Sequence, residues 1–296
     1  MNIISPYNEG LWLKGNLHTH TTNSSCGYYP LEEVAGTYGD KAMKYDFLAI
    51  TDHVYLTDIS PVQGLNGLVV FAGVEYKPYK FQTLGINITS YMDDSDDEEN
   101  HQIIFDAVQA QGGINIICHP HMYNTDYWPL DKILKLSGYT AIEIYNHNVK
   151  MNSNGRAIAT DIWDALLSRG IRVYGIASDD LHHRSRYGGA FIMVQASQKN
   201  AASIFQAIKS GAFYSSTGIL FQDISLKNGN ELSLEIASNY IPDVTFSFIG
   251  LGGKILYKMN GPNASYVIPD TEGYIRIEAV REDGARAWTQ PFFISN

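Results

Sequence analysis

The chain has 296 residues and a formal net charge of −10, from 31 acidic and 21 basic side chains. Hydrophobic residues at 45% can build a sizeable core, which excludes general disorder, and the length predicts two domains or one large α/β domain with an appendage. Nucleic-acid binding needs a basic surface to neutralise phosphates, so this acidic chain is expected to have no strong nucleic-acid surface.

The chain shows no sign of a targeting or membrane segment. The first residues, MNIISPYNEG, lack the basic start and the apolar run of a signal peptide, and no apolar stretch approaches the roughly 20 residues of a membrane span. The two cysteines, Cys26 and Cys118, are far apart in the sequence, so no disulfide framework is expected. We therefore expect a cytoplasmic protein with no membrane contact.

Short apolar runs alternate with amphipathic stretches from residue 11 to about residue 218, which is typical of βαβ units. Strands are predicted at residues 11–17, 47–50, 68–74, 114–118, 141–145, 172–177 and 190–194. Helices are predicted at residues 31–43, 98–111, 156–168 and 201–209. The acidic run 93–99 is interpreted as the solvated start of the second helix, because it lacks the glycine and spacing of a calcium loop. This order favours a parallel barrel or an open doubly wound sheet.

The sequence pattern changes after Gly218. Helical periodicity gives way to short alternating runs, separated by turn dipeptides such as Asn228-Gly229 and Asp283-Gly284. Strands are predicted at residues 224–227, 231–236, 244–249, 254–258, 266–268, 274–280 and 288–294. We therefore predict a first domain over residues 1–218 and a small antiparallel β domain, a sandwich, over residues 219–296.

Histidines and carboxylates follow the predicted strands, at the ends where α/β barrels build active sites. His18 and His20 are two residues apart on an extended chain, so both imidazoles point the same way. The other polar side chains at strand ends are Asp52, His53, Glu75, His119, His121, Asn146, His147, Asp180 and His182. Neutral imidazoles and carboxylates suit Zn, Mn or Fe. The pattern predicts a cluster of two or three divalent metal ions.

The ordered set of motifs resembles the PHP (polymerase and histidinol phosphatase) superfamily over residues 11–218. The motifs are His18-Thr-His20, Thr-Asp52-His53, Glu75, His119-Pro and Ser-Asp-Asp180-Leu-His182. This resemblance implies a metal-dependent phosphoesterase on a distorted seven-stranded (β/α) barrel. Residues 210–218 and 283–291 are similar to a subgroup with a small C-terminal β domain, which includes metallohydrolases related to a carbaryl hydrolase and a microcin-maturation protein.

The resemblance also implies a set of metal ligands. A first metal is held by His18, His20, Glu75 and Asp180. Glu75 bridges to a second metal, held further by His119 and a ligand near His147, and a third metal uses His53 and His182. The family usually adds an Asp or His shortly after the His-x-His pair, but this chain has Cys26 in that region. Cys26 supplies a thiolate ligand, or the third site is weak or empty.

Two ligand positions have rival residues in the sequence. Asn146 or His121 could take the place that the resemblance gives to His147. Asp179 is the nearest rival of Asp180, and the two-residue spacing between Asp180 and His182 favours Asp180, because both side chains then point the same way.

The predicted reaction is hydrolysis of a small phosphorylated substrate, a phosphate ester, by a metal-bound water. Glu75, Asp180 and His20 are the predicted catalytic residues, and Arg184 and Arg186 either grip a phosphate or belong to a solvated loop. Neither a Gly-x-Ser-x-Gly elbow nor a phosphate-binding P-loop occurs. One alternative is an amidohydrolase-like enzyme, which would need a bridging lysine where Glu75 stands. The other is a metal-binding protein without turnover. The oligomeric state stays open.

Overall fold

The structure is a computed structural model that describes residues 2–77, 80–92, 100–123, 127–237, 244–269 and 273–295. The acidic run 93–99, interpreted above as a helix start, lies outside the described residues. The described chain is a mixed α/β protein with one 15-stranded sheet and one three-stranded sheet. Among these residues, no helix has the length and apolarity needed to cross a bilayer.

The elements are numbered in chain order. The strands are β1 (Asn2–Ile4), β2 (Leu11–Asn16), β3 (Phe47–Ile50), β4 (Val69–Tyr76), β5 (Thr83–Ile86), β6 (Ile114–Ile117), β7 (Tyr139–Asn146), β8 (Tyr174–Ser178), β9 (Phe191–Ala196), β10 (Phe213–Ser216), β11 (Phe221–Lys227), β12 (Glu231–Ile236), β13 (Val244–Gly250), β14 (Lys254–Asn260), β15 (Asn263–Val267), β16 (Gly273–Arg281), β17 (Arg286–Thr289) and β18 (Phe292–Ser295). The helices are α1 (Leu31–Gly39), α2 (Asn100–Ala110), α3 (Leu130–Ile133), α4 (His147–Asn152), α5 (Thr160–Leu167) and α6 (Ala201–Ser210).

The first part of the large sheet runs in the order β9-β2-β3-β4-β5-β6-β7-β8. Strands β2, β3 and β4 pair in parallel, as do β6, β7 and β8. Strand β5 pairs antiparallel with both β4 and β6, and β9 pairs antiparallel with β2. Strand β8 contacts β9, so the path curves back toward its start. This topology confirms the α/β class with a sheet rich in parallel pairs.

A seven-stranded barrel is not confirmed, since the path from β2 to β9 contains eight strands. Within this path, the strand that was not predicted from the sequence is β5, a four-residue segment in a polar and glycine-containing stretch. The predicted helix 31–43 ends earlier, at Gly39, because the following Asp40 adopts an extended backbone conformation. Strand β3 has the predicted bounds.

The helices bury one apolar face each. Helix α6 is capped at its start by Asn200, whose side chain accepts a hydrogen bond from the Ser203 amide, and at its end by Gly211, which has a positive φ of 78°. Its buried face, which includes Ile204 and Ile208, packs against β9. Each such buried side chain stabilises the fold by about 1.5–3 kcal/mol relative to exposure. Packing of this kind fixes the strands whose ends carry the polar residues.

The C-terminal strands divide between the two sheets. Strands β11, β12 and β15 form the three-stranded sheet, whereas β13, β14, β16, β17 and β18 extend the large sheet. The join is the antiparallel pair of β10 and β17, in which Tyr214 is opposite Thr289. Apolar side chains of both groups share one core, which includes Leu232, Phe246 and Ile277. The predicted run 288–294 is two strands, separated at Pro291, which has no amide hydrogen for a ladder.

Buried polar contacts attach the C-terminal strands to the elements that precede them. The Gln290 side chain accepts a hydrogen bond from the Gly175 amide of β8 at 2.8 Å and donates to the Gly175 carbonyl at 2.7 Å. Arg276 of β16 donates twice to Asp164 of α5, at 2.7 and 2.6 Å. Tyr274 donates to the same carboxylate at 2.8 Å. The C-terminal strands therefore hold both β8 and α5.

Candidate metal centre

The polar side chains lie where neighbouring strands end. His18 and His20 follow β2, His53 follows β3, Glu75 is in β4, His119 follows β6, and Asp180 and His182 follow β8. Isolated parallel bridges extend two of these strand pairs: Thr19 pairs with Leu181, and His53 pairs with Glu75. Because these strands meet at one edge of the curved sheet, their side chains converge.

Four buried donor atoms form the centre of this convergence: His18 Nε2, His20 Nε2, Glu75 Oε2 and Asp180 Oδ1. The two imidazole nitrogens are 3.1 Å apart. Glu75 Oε2 lies 3.0 Å from His18 Nε2 and 3.1 Å from His20 Nε2. Asp180 Oδ1 lies 3.3 and 3.2 Å from the same two nitrogens. We call these four residues the central group.

The donor atoms of the central group fit a divalent cation. Ligand bonds of about 2.0–2.1 Å in a tetrahedron place neighbouring ligand atoms about 3.3 Å apart, close to the measured separations. Asp180 Oδ1 is buried and has no hydrogen-bond partner among the described residues, so it is available to a cation. Burial would lower the pKa of His18, but Asp180, Glu75 and Glu143 raise it well above its usual range. The negative charge of these carboxylates therefore favours a positive charge at this point.

Glu75 faces more than one group of donors. Its Oε2 also lies 3.1 Å from His53 Nδ1, and its Oε1 lies 3.3 Å from His119 Nε2. Burial would raise the pKa of Glu75, but His53 and His18 lower it well below the usual range. An ionised carboxylate whose oxygens face different imidazoles is suited to bridge two cations.

A further group consists of His20, His53 and His182, whose ligand atoms lie within 4.8 Å of one another. Asp180 Oδ1 is 3.2 Å from His182 Nδ1, so this group adjoins the central group. Cys26 lies beside it: burial would raise the pKa of the thiol, but hydrogen bonds to His182 and His53 lower it to about 6. The region after the His-x-His pair thus places a thiolate next to these imidazoles.

Glu143, which the sequence analysis did not select, orients two of these residues. It accepts from His18 Nδ1 at 2.8 Å and from the His119 amide at 2.7 Å. It also accepts from Asn146 Nδ2 at 3.0 Å and from the Ser178 hydroxyl. In the neutral imidazole, a proton on His18 Nδ1 leaves the lone pair on Nε2, which faces the central group. The available sequence signal was an acidic residue between two isoleucines in a predicted strand.

A second carboxylate, Asp52, orients His20 through Ser24. The Ser24 hydroxyl donates to Asp52 Oδ1 at 2.7 Å and lies 3.0 Å from His20 Nδ1. Since the hydroxyl proton goes to Asp52, the serine oxygen accepts the Nδ1–H of His20, and the Nε2 lone pair again faces the cluster. Thr21 and Thr57 also donate to Asp52, so its oxygens are occupied by these contacts.

His147, which the resemblance offered as a ligand, lies outside these donor groups. His147 starts α4, and its Nδ1 lies 3.4 Å from the Tyr145 hydroxyl. Its rival Asn146 donates to Asp180 Oδ2 at 3.2 Å and accepts from the Val149 amide, which caps α4. The other rival, His121, contacts Asp161 at 2.9 Å. Neither His147 nor His121 joins a group of converging histidine, cysteine and carboxylate donors in the described chain.

The two neighbouring aspartates after β8 differ in direction. Asp180 points into the central group, whereas Asp179 accepts hydrogen bonds from the Tyr38 hydroxyl and from the Gly188 and Ala190 amides, each at 2.8 Å. Burial raises the pKa of Asp179 to about 7. Asp180 has a positive φ of 51°, a left-handed conformation that is costly for a residue with a side chain. Backbone strain of this kind concentrates at functional sites.

A cavity of about 890 Å³ opens onto the donor groups. Its wall includes His53, Glu75, His119, Asp180 and His182. The rest of the wall carries tyrosines, amides and cationic side chains, among them Tyr28, Tyr123, Tyr127, Asn148, Asn152, Asn154, Lys77, Lys80 and Arg186. Arg184, by contrast, pairs with Glu33 at 3.0 Å on the surface and is not part of this wall.

Comparison with solved structures finds proteins with a similar fold. No family model and no curated protein matches this chain. One similar solved structure is a two-domain protein from Bacteroides vulgatus that contains a predicted PHP-like metal-dependent phosphoesterase. It is 14% identical, with a TM-score of 0.53, over 97% of this chain and 99% of the other.

Two other solved structures have TM-scores below 0.5. PsfC from Pseudomonas syringae is 13% identical over 66% of this chain and 87% of its own, with a TM-score of 0.46. A DUF3244-family protein from Bacteroides vulgatus, with an immunoglobulin-like β-sandwich fold, is 14% identical over 27% of this chain and 100% of its own, with a TM-score of 0.21. The match over nearly the full length of both chains shows that this chain has a fold similar to that of the two-domain protein with a predicted PHP-like domain.

Proposed function

We propose that this protein is a metal-dependent phosphoesterase that hydrolyses a phosphate ester with water activated at two or three divalent ions (Zn, Mn or Fe). The observation that carries the proposal is the arrangement of Glu75, whose two oxygens face different imidazoles within a buried set of converging donors. In this proposal strands β2–β9 form a distorted barrel of PHP type, and residues 219–296 form a separate β domain.

The residues of the chain have distinct tasks in this reaction. Bound divalent ions would lower the pKa of water toward about 7 and offset the negative charge on the phosphoryl oxygens. Glu75 and Asp180 supply the negative charge that attracts these ions. Glu143 and Ser24 hold the Nδ1 protons of His18 and His20, so that neither imidazole can turn its lone pair away.

The charge of the cavity favours an anionic substrate. The chain as a whole is acidic, yet among the described residues the carboxylates of this wall are Glu75 and Asp180, both in the central group. Lys77, Lys80 and Arg186 stand on the remaining wall. Cations in the donor groups would add positive charge to the cavity and attract a phosphate ester.

A panel of esters tests the proposed reaction against the amidohydrolase alternative. The metal-loaded chain, with Mn²⁺ or Zn²⁺, is incubated with phosphomonoesters, phosphodiesters, carboxylic esters and amides, and each product is measured. We expect release of phosphate or cleavage of a phosphodiester at rates well above the metal-free chain. Cleavage of carboxylic esters or amides without action on phosphate esters would contradict the proposal.

A further inference from the structure

Arg186 stands out among the cationic side chains of the cavity wall. It is the last residue of the short 3₁₀ turn Arg184–Arg186, which follows β8, and it lies four residues after His182. Its side chain is half-buried and lines the cavity together with Asp180 and His182. A permanent positive charge therefore lies on the same cavity wall as the donor groups.

Neutral side chains hold the guanidinium of Arg186 in place. Its Nε donates to Asn148 Oδ1 at 3.0 Å, and its Nη2 donates to Asn152 Oδ1 at 2.5 Å. Its Nη1 donates to the Ser185 hydroxyl at 2.5 Å. Asn148 and Asn152 are four residues apart on α4, and Asn152 Nδ2 donates to Asn148 Oδ1 at 3.1 Å. The two amides form one cradle, which fixes the orientation of the charged group.

Most other arginines of the described chain are paired with carboxylates. These pairs are Arg156 with Asp161, Arg184 with Glu33, Arg276 with Asp164, Arg281 with Asp283 and Arg286 with Glu278. Arg186 has no such partner among the described residues. A guanidinium has five N–H donors, and three are used here, which leaves one on each Nη nitrogen. An oriented cation with free donors and no counter-charge is suited to bind an anion.

Asn148 connects this cation to the metal centre. Its Nδ2 lies 3.3 Å from Asp180 Oδ2 and 3.3 Å from His182 Nδ1, while its Oδ1 accepts from Arg186. One amide therefore spans the distance between the donor groups and the guanidinium. An anion in this corner of the cavity would meet Arg186 on one side and the donor groups on the other.

We propose that Arg186 binds the terminal phosphate of the substrate and selects phosphomonoesters over phosphodiesters. This inference rests on the proposed phosphoesterase function. A monoester has three non-bridging oxygens and about two negative charges, so it can share its oxygens between the cations of the centre and the fork of Arg186. A diester has two non-bridging oxygens and one negative charge, which leaves a donor of Arg186 without an acceptor.

Arg186→Gln tests the proposal, with Arg184→Gln as the matched control. Both variants remove one positive charge from the same short turn, but Arg184 is outside the cavity wall. The affinity of the metal-loaded chain for inorganic phosphate is measured by calorimetry, beside kcat/KM for an aryl phosphomonoester and an aryl phosphodiester. We expect Arg186→Gln to weaken phosphate binding about 10- to 100-fold, the scale of a charged hydrogen bond, with bound metal unchanged. Arg184→Gln should stay within about twofold of the unmodified chain.

The same experiment separates this proposal from the proposed function. Phosphate binding and a monoester-to-diester ratio that do not change in Arg186→Gln would overturn the role of Arg186, while leaving hydrolysis intact. Phosphate binding that depends on Arg186, in a chain that hydrolyses no phosphate ester, would retain the anion site and overturn the proposed function.

A second variant covers the case in which Arg186→Gln does not fold. Asn152→Ala removes one hydrogen bond of the cradle and keeps the charge, so we expect phosphate binding to weaken several-fold. Binding equal to that of the unmodified chain would contradict the proposal.

Discussion

The Nδ1 atom of His18 lies 2.8 Å from Glu143 Oε1, and both side chains are fully enclosed. Through its other oxygen, Glu143 also accepts from the His119 amide. One buried carboxylate therefore orients the His18 imidazole, after β2, and holds the backbone of His119, after β6. This relationship makes Glu143 a positioning residue for donors from two different strands.

Glu143→Gln should reduce metal affinity without removing a ligand. The amide can present an N–H to His18 Nδ1, which favours the tautomer whose proton is on Nε2 and points at the central group. We expect affinity for Zn²⁺ to fall about 10- to 100-fold, as is usual for partners of metal-bound histidines. Competition with a chelator measures this. Glu282→Gln, at an exposed glutamate, is the control, and equal affinities in the two variants would exclude the positioning role.

Glu75→Gln tests the proposed bridge. The amide keeps the shape of the side chain but removes its negative charge and one good donor atom. We expect bound metal to fall and turnover per folded molecule to drop at least about 100-fold, which corresponds to about 2.7 kcal/mol. Glu235→Gln, on the exposed face of β12, should have no effect. Unchanged metal content and turnover in folded Glu75→Gln would remove Glu75 from the site.

Metal binding should release protons and strengthen as the pH rises. Burial would lower the pKa of His182, but Asp180 raises it to about 11, and the pKa values of His18 and His53 are also raised. His182 is therefore protonated in the metal-free chain at neutral pH and must lose a proton to bind a cation, and the raised pKa values of the other two imidazoles act in the same direction. Proton release on addition of Zn²⁺ to a weakly buffered solution measures the effect. A metal affinity that is constant from pH 6 to 8 would contradict this expectation.

The same shift has a consequence for the stability of the metal-free chain. The pKa of His182 is raised in the folded state. The stability that protonated His182 contributes is therefore fully present below the pKa of the unfolded chain, about 6.5. That contribution is lost as the pH rises toward the folded value of about 11. Urea unfolding of the metal-free chain should therefore show a smaller loss of stability at alkaline pH in His182→Asn than in the unmodified chain.

Gln290→Ala should destabilise the whole chain, because Gln290 joins the C-terminal strands to β8. The change leaves the buried Gly175 amide without its acceptor, while Ser215 still donates to the Gly175 carbonyl. We expect a loss of about 1–3 kcal/mol in the free energy of unfolding, measured by urea denaturation. Gln222→Ala, at an exposed position in β11, should change it by less than about 0.5 kcal/mol. A Gln290→Ala variant as stable as this control would show that the attachment is weak.

Much of the fold follows from local sequence patterns. Strand β3 coincides with a short apolar run. Helix α6 has an amphipathic pattern between the capping residues Asn200 and Gly211. Strand β5 has no such local signal, because its four residues include one glycine and its pairing with β4 and β6 depends on distant segments. The extension of the large sheet by β17 likewise depends on contacts between residues about seventy positions apart.

The candidate metal ligands were easier to predict from the sequence than the residues that orient them. Spacing after strands indicated His18, His20 and Glu75, since a two-residue interval fixes a common direction. It did not reveal Glu143, because the sequence does not tell which face of β7 is enclosed. His147 was selected for its position after the same strand, but it is the first residue of α4, which Asn146 caps, and it joins none of the donor groups of the described chain.

Phosphate release during stepwise loading with metal tests the central claim most directly. Metal is first removed from the chain with a chelator, and Mn²⁺ or Zn²⁺ is then added in increments, while elemental analysis counts the bound ions. We predict no hydrolysis of a phosphate ester without metal and a rise in activity that ends at two or three bound ions per chain. Full activity in a chain with no detectable metal would contradict the metal-dependent mechanism.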